Sequence, residues 1–139
     1  MSFLLDTNVI SEPEQKRPDK NVLRWIADNE QTRFFLSVVT VGELKKGVER
    51  LPSGQKKARL HNWVEELRAK LANRILPLTE KTLLIWAKVN ADYENRGLAR
   101  SAFDSLLEAT ALEHDLILVT RNVRKFKGSA ITILNPWED

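Results

Sequence analysis

Short apolar runs of strand length alternate with helix-length amphipathic stretches, and this alternation constrains the fold more than any other feature. The runs are Phe3-Leu4-Leu5, Phe34-Phe35-Leu36-Ser37-Val38-Val39, Ile75-Leu76-Pro77-Leu78, Leu116-Ile117-Leu118-Val119-Thr120 and Ile131-Thr132-Ile133-Leu134. Largely apolar runs of this length suit strands buried on both faces of a parallel sheet. Strands that alternate with helices imply a three-layer α/β/α architecture around a mostly parallel sheet, with right-handed crossovers. Residues 1–139 carry no internal repeat, low-complexity tract or linker, so one domain is expected.

Local signals place the helices. Pro13 to Asp19 reads as a loop, and Asp19 caps a helix carrying Val22, Leu23, Trp25 and Ile26. Thr40 is expected to cap the next helix, with Glu43 three residues on completing a capping box. That helix runs to about Leu51, and Pro52-Ser53-Gly54 turns the chain into a long helix from about Gln55 to Asn73. Thr79-Glu80 opens another, broken at Gly97. The helix from Ser101 to about His114 is nearly apolar and should be buried.

Composition removes several chemistries. The chain has no cysteine, which excludes disulfides, thiolate metal sites and cysteine nucleophiles. No apolar run approaches membrane-spanning length, and the chain enters a strand-like segment without a basic leader. A cytoplasmic location without membrane contact is therefore expected. The formal charge of +3 permits a nucleic-acid partner without requiring one. Lys45, Lys46, Arg50, Lys56, Lys57 and Arg59 gather much of the positive charge in one segment.

Three acids stand at element ends. Asp6 closes the first strand, Glu43 lies near the start of a helix after the second, and Asp104 opens the most buried helix. Each has an ordinary explanation as a cap or dipole partner. If the three converge, their shared pocket is costly unless a cation neutralises it. An oxygen-only donor set favours Mg²⁺ or Mn²⁺ over zinc, and such ions serve in-line phosphoryl displacement. His61 and His114 sit on predicted helices away from the acids, and no glycine-rich phosphate loop is present.

The segments Leu4-Leu5-Asp6-Thr7-Asn8-Val9-Ile10-Ser11 and Ser37-Val38-Val39-Thr40-Val41-Gly42-Glu43-Leu44 resemble the first two motifs of PIN-domain proteins. Phe103-Asp104-Ser105-Leu106-Leu107-Glu108-Ala109-Thr110-Ala111-Leu112 resembles the third, and Leu118-Val119-Thr120-Arg121-Asn122 the fourth. Asn135-Pro136-Trp137 is a similar ending. Within that superfamily the chain is most similar to VapC-type toxins, including the FitB-like branch.

The resemblance implies a metal-dependent endoribonuclease toxin of a type II toxin–antitoxin module, cleaving structured RNA such as tRNA with metal-activated water. It makes Asp6, Glu43 and Asp104 the ligands of Mg²⁺ or Mn²⁺, with Asn8, Thr120 and Asn122 completing the catalytic site. Arg121, Arg124, Lys45 and Lys46 are the expected RNA-binding cations. A cognate VapB-like antitoxin and a homodimer are the implied partners. Trp25, Val48, Leu60 and Trp63 are core positions by default, or else part of an antitoxin groove or dimer interface.

Two positions depart from the family pattern. Asn122 stands where many relatives carry an acid, which leaves open a catalytically weak RNA- or protein-binding PIN module. Glu108, one turn after Asp104, is expected to pair with a basic side chain in the core, or else adds charge to the pocket.

Overall fold

A computed structural model describes Met1–Glu138. Its sheet contains β1 (Phe3–Leu5), β2 (Phe34–Ser37), β3 (Ile75–Leu76), β4 (Ile117–Val119) and β5 (Ile133–Leu134). The strand order is β3-β2-β1-β4-β5, and every neighbouring pair is parallel. The helices are α1 (Thr7–Ile10), α2 (Lys20–Asp28), α3 (Val38–Glu49), α4 (Gln55–Lys70), α5 (Glu80–Asn95) and α6 (Ala102–His114).

Alternation along β1 divides the core into two layers. Phe3 and Leu5 face one side, with Val9, Phe34, Leu36 and Val119 beneath Trp25, Ile26 and Leu67. Leu4 faces the other, with Leu107, Ala111, Leu118 and Phe126. Trp25 is stacked on Phe34 at 5.4 Å and meets Phe3 edge-on at 5.0 Å. It is therefore part of the core, and Val48 is buried with Leu44 and Val64 against Leu60 and Trp63.

From β1 the chain adds β2 and β3 on one side, then returns to place β4 and β5 on the other. Its direction of winding reverses between β1 and β4. Open α/β sheets form a crevice at the carboxyl ends of the strands at such a point. Leu5 is in register with Val119, so Asp6 and Thr120 stand side by side there.

Several boundaries differ from the sequence expectation. β2 stops at Ser37, and the β-branched Val38 and Val39 form the first turn of α3 instead. The Ser37 hydroxyl accepts from the Val39 N–H at 3.0 Å, so Ser37 rather than Thr40 caps this helix. Thr40 lies inside it, fully buried, and among the described residues its Oγ1 has no hydrogen-bond partner. Glu43 is thus no capping-box partner. α4 ends at Lys70 before a short 3-10 turn, Ala72–Arg74. β4 and β5 are each shorter than their apolar runs. Asp19 caps α2 as expected, with bonds from the Asn21 and Val22 N–H groups, while Ser101, expected as the first residue of α6, is instead its cap.

Candidate metal centre and nucleic-acid interface

Asp6 is the last residue before α1 and remains 8% exposed. Its Oδ1 accepts from the Thr7 N–H at 2.7 Å, and its Oδ2 from the Thr120 hydroxyl at 2.8 Å. Asp6 therefore does cap a helix, but the helix is one turn long and the second oxygen is held from β4. The Asn122 N–H in turn donates to Thr120 Oγ1 at 3.1 Å. Capping and site-building are one geometry here.

Thr7 links the first acid to the second. Its hydroxyl donates to Glu43 Oε1 at 3.2 Å, while its amide serves Asp6. Released from capping, Glu43 points from α3 toward α1, and its second oxygen has no bond among the described residues. Burial pushes the carboxyls of both Asp6 and Glu43 above their ordinary values. Hydrogen bonds from Thr120 and Thr7 oppose the rise at Asp6, and that from Thr7 opposes it at Glu43. Asp104 adds repulsion at both sites, and Lys125 relieves it at both. The structure thus brings Asp6, Glu43 and Asp104 within electrostatic reach of one another.

Among the described residues no three acidic or imidazole side chains close into a ready-made cage for an ion. The donor set is nonetheless oxygen-only, crowded with like charge and fixed by hydroxyl and amide donors. That chemistry fits a hard divalent ion that keeps much of its water, the habit of Mg²⁺. It does not fit zinc, since His61 lies against Lys45 on the α3–α4 hairpin and His114 beside Glu113.

The remaining predicted residues divide into two groups. Asn8 Oδ1 accepts from the Arg121 N–H at 3.4 Å, a long bond that ties α1 to the segment after β4. Arg121, Asn122 and Arg124 are exposed beside the site. Lys46 is exposed one turn after Glu43. Lys45 instead turns to Glu49 at 3.1 Å and to His61 at 3.0 Å, and does not join the carboxylates.

Sequence reasoning gave no role to Thr7 or Lys125. Adjacency to Asp6 was the available signal for Thr7. Lys125 carried none, because only the 3-10 turn Val123–Phe126 brings it back to the acids.

Glu108 corrects an expectation. It is 2% exposed and pairs with no base. The Tyr93 hydroxyl lies 2.6 and 2.8 Å from its two oxygens. The guanidinium of Arg100 sits 4.2 Å from the Tyr93 ring centre and that of Arg96 5.0 Å. The base is thus one step removed, over the ring face, and burial together with Glu108 raises the Tyr93 phenol above its ordinary value. This arrangement locks α5 to α6 behind the site.

A family profile described as PIN domain matches residues 3–128. The chain is 38% identical to toxin FitB of Neisseria gonorrhoeae, over 99% of both chains. It is 35% identical to VapC ribonuclease Y4jK of Sinorhizobium fredii, over 98% of both. The crystal structure of FitAcB from Neisseria gonorrhoeae superposes with a TM-score of 0.93 at 36% identity, covering 99% of each chain.

Proposed function

This chain belongs to the PIN-domain family, in its VapC/FitB toxin branch, and from that premise we propose that it is a divalent-metal-dependent endoribonuclease toxin. The observation that carries the reading is the Asp6–Thr120 and Thr7–Glu43 pair of hydrogen bonds at the reversal point of the sheet. It fixes the buried carboxylate of Asp6 and the half-buried one of Glu43, with Asp104 in electrostatic reach.

Asp6, Glu43 and Asp104 would hold Mg²⁺ or Mn²⁺. A bound ion supplies Lewis acidity toward the phosphate and a water of lowered pKa. Thr120 and Thr7 keep the carboxylate oxygens oriented, and Lys125 offsets their charge before substrate arrives. Arg121, Arg124 and Lys46 bring cations to the RNA backbone. Water adds to phosphorus while the bond to the 3′-oxygen breaks, leaving a 5′-phosphate and a 3′-hydroxyl. Asn122 offers an amide oxygen where many relatives have an acid, which adds no charge. Structured RNA with accessible loops is the proposed substrate class, tRNA first among candidates.

A VapB-like antitoxin is the proposed protein partner. The cleft running from Glu43 between α3 and α4, about 300 Å³ and walled by Leu44, Val48, Leu60 and Trp63, suits its apolar segment. Leu83 and Leu84 on α5, 45% and 66% exposed, support pairing of two copies of this chain.

The test is cleavage of RNA by antitoxin-free protein with Mg²⁺ or Mn²⁺, beside an Asp6→Ala control. Metal-dependent cleavage lost in the variant is expected. Equal inertness of both, in folded protein that still binds RNA, would turn the reading to a binding module.

A further inference from the structure

We infer that a groove beside the carboxylates holds the nucleotide flanking the cleaved phosphate, stacking its base on Trp137 and Arg121. This rests on the ribonuclease reading for the identity of the cleaved bond. The open groove of about 890 Å³ is lined by Asn8, Lys16, Arg17, Lys56, Arg121 and Trp137. Among the described residues none of its four cations is in an ion pair. Glu12 also lines it, but one oxygen of that carboxylate accepts from the Asp19 N–H at 2.8 Å.

Position and chemistry both favour a nucleotide. Asn8 is two residues from Asp6 and bonded to Arg121, so the groove begins where the catalytic acids end. Lys56 lines both this groove and the cleft that contains Glu43, making the two continuous. Trp137 is anchored, since its carbonyl accepts from Asn21 and its N–H donates to Asn135. The Arg121 guanidinium lies 5.3 Å from its ring centre. The indole itself packs against the core; an indole carrying a guanidinium is a stacking platform for any base, and the four cations lining the groove can receive the phosphates of a single strand. An acidic peptide would satisfy the cations but leave the aromatic surface unused.

The experiment uses full-length protein in EDTA, where no metal-dependent cleavage competes, and a single-stranded RNA decamer as probe. Tryptophan fluorescence is followed in wild type and in Trp137→Phe, which keeps three of the four tryptophans. RNA should quench wild type and leave the variant nearly unquenched. The exposed pair Lys16→Ala and Arg17→Ala, combined, should weaken binding roughly 5- to 100-fold. It should also lower the slope of log affinity against log salt by about 1.4, near 0.7 for each lost phosphate contact. A purely structural role would leave that slope unchanged. Equal quenching in wild type and Trp137→Phe, or quenching by an oligoglutamate peptide but not by RNA, overturns the proposal. Protein that quenches and binds as expected but never cleaves with Mg²⁺ keeps the groove and loses the ribonuclease reading. Protein that cleaves with unchanged KM in both variants keeps the ribonuclease and loses the groove.

Discussion

Thr120 donates its hydroxyl to Asp6 Oδ2 across 2.8 Å, joining the ends of the two strands between which the sheet reverses its winding. The same oxygen of Thr120 receives the Asn122 N–H. One hydroxyl therefore orients the buried acid and the segment that follows β4. Partners of this kind decide how well a carboxylate is aimed at an ion.

Thr120→Val keeps the shape and removes the hydroxyl. It strands the Asn122 N–H and one Asp6 oxygen, at a cost of about 1–2 kcal/mol in denaturant unfolding. Divalent-ion affinity or cleavage should fall roughly 10- to 100-fold, and Thr120→Ser should restore most of it. A valine variant with wild-type ion affinity would remove Thr120 from the site.

Burial raises Asp6 and Glu43 above the ordinary carboxylate range, and each also faces negative neighbours. A carboxyl raised on folding contributes stability that is complete below its unfolded pKa and lost as pH climbs through the folded one. In EDTA these two groups should therefore leave the fold less stable at about pH 7.5 than at about pH 4, the loss starting as pH climbs past their ordinary values, and Mg²⁺ should return part of it. Glu43→Gln should flatten this pH dependence and raise the metal-free Tm at pH 7.5 by about 1–4 °C. Melting curves at both pH values decide it, and a glutamine variant that melts lower than wild type contradicts the account.

Much of this arrangement was legible along the chain, because a parallel sheet writes itself as short apolar runs, Asp6 falls at the end of the first, and Asp104 opens the most buried helix. Glu43 was legible from its place after the second strand, against a competing ordinary explanation as a cap partner. Its apparent role in a capping box dissolved when Ser37 took the cap and drew Val38 and Val39 out of the strand, a side-chain hydrogen bond overriding β propensity. Lys125 and the Thr7 bridge depend on segments that meet only after folding. So does Glu108, whose partner turned out to be a phenol on a neighbouring helix rather than a base.

Tyr93→Phe isolates that partner. The ring and its Arg96 and Arg100 contacts remain, while Glu108 loses the only side-chain donor it has among the described residues. An unsatisfied buried carboxylate costs about 1–3 kcal/mol or more, so unfolding should shift by that amount. Pairing the change with Glu108→Gln should recover part of it in a double-mutant cycle. Additive losses would mean that the two side chains are not coupled.

Lys125 is the cation that offsets charge at both Asp6 and Glu43, and it is exposed. Before any ion binds, it therefore competes for the role that Mg²⁺ would fill. Removing one unit charge that acts on the pocket through well-hydrated surroundings changes ion binding by about 1 kcal/mol or less. Lys125→Ala should thus tighten Mg²⁺ roughly two- to fivefold, read by calorimetry or by the ion's effect on Tm without RNA. The same change removes a cation from the path of the incoming phosphate, so KM for RNA should rise while the ion requirement falls. Lys125→Arg should leave both near wild type. The opposite movement of the two constants is what separates this role from simple destabilisation, which would weaken both. Unchanged Mg²⁺ affinity in Lys125→Ala would show that its charge is spent on solvent and not on the carboxylates.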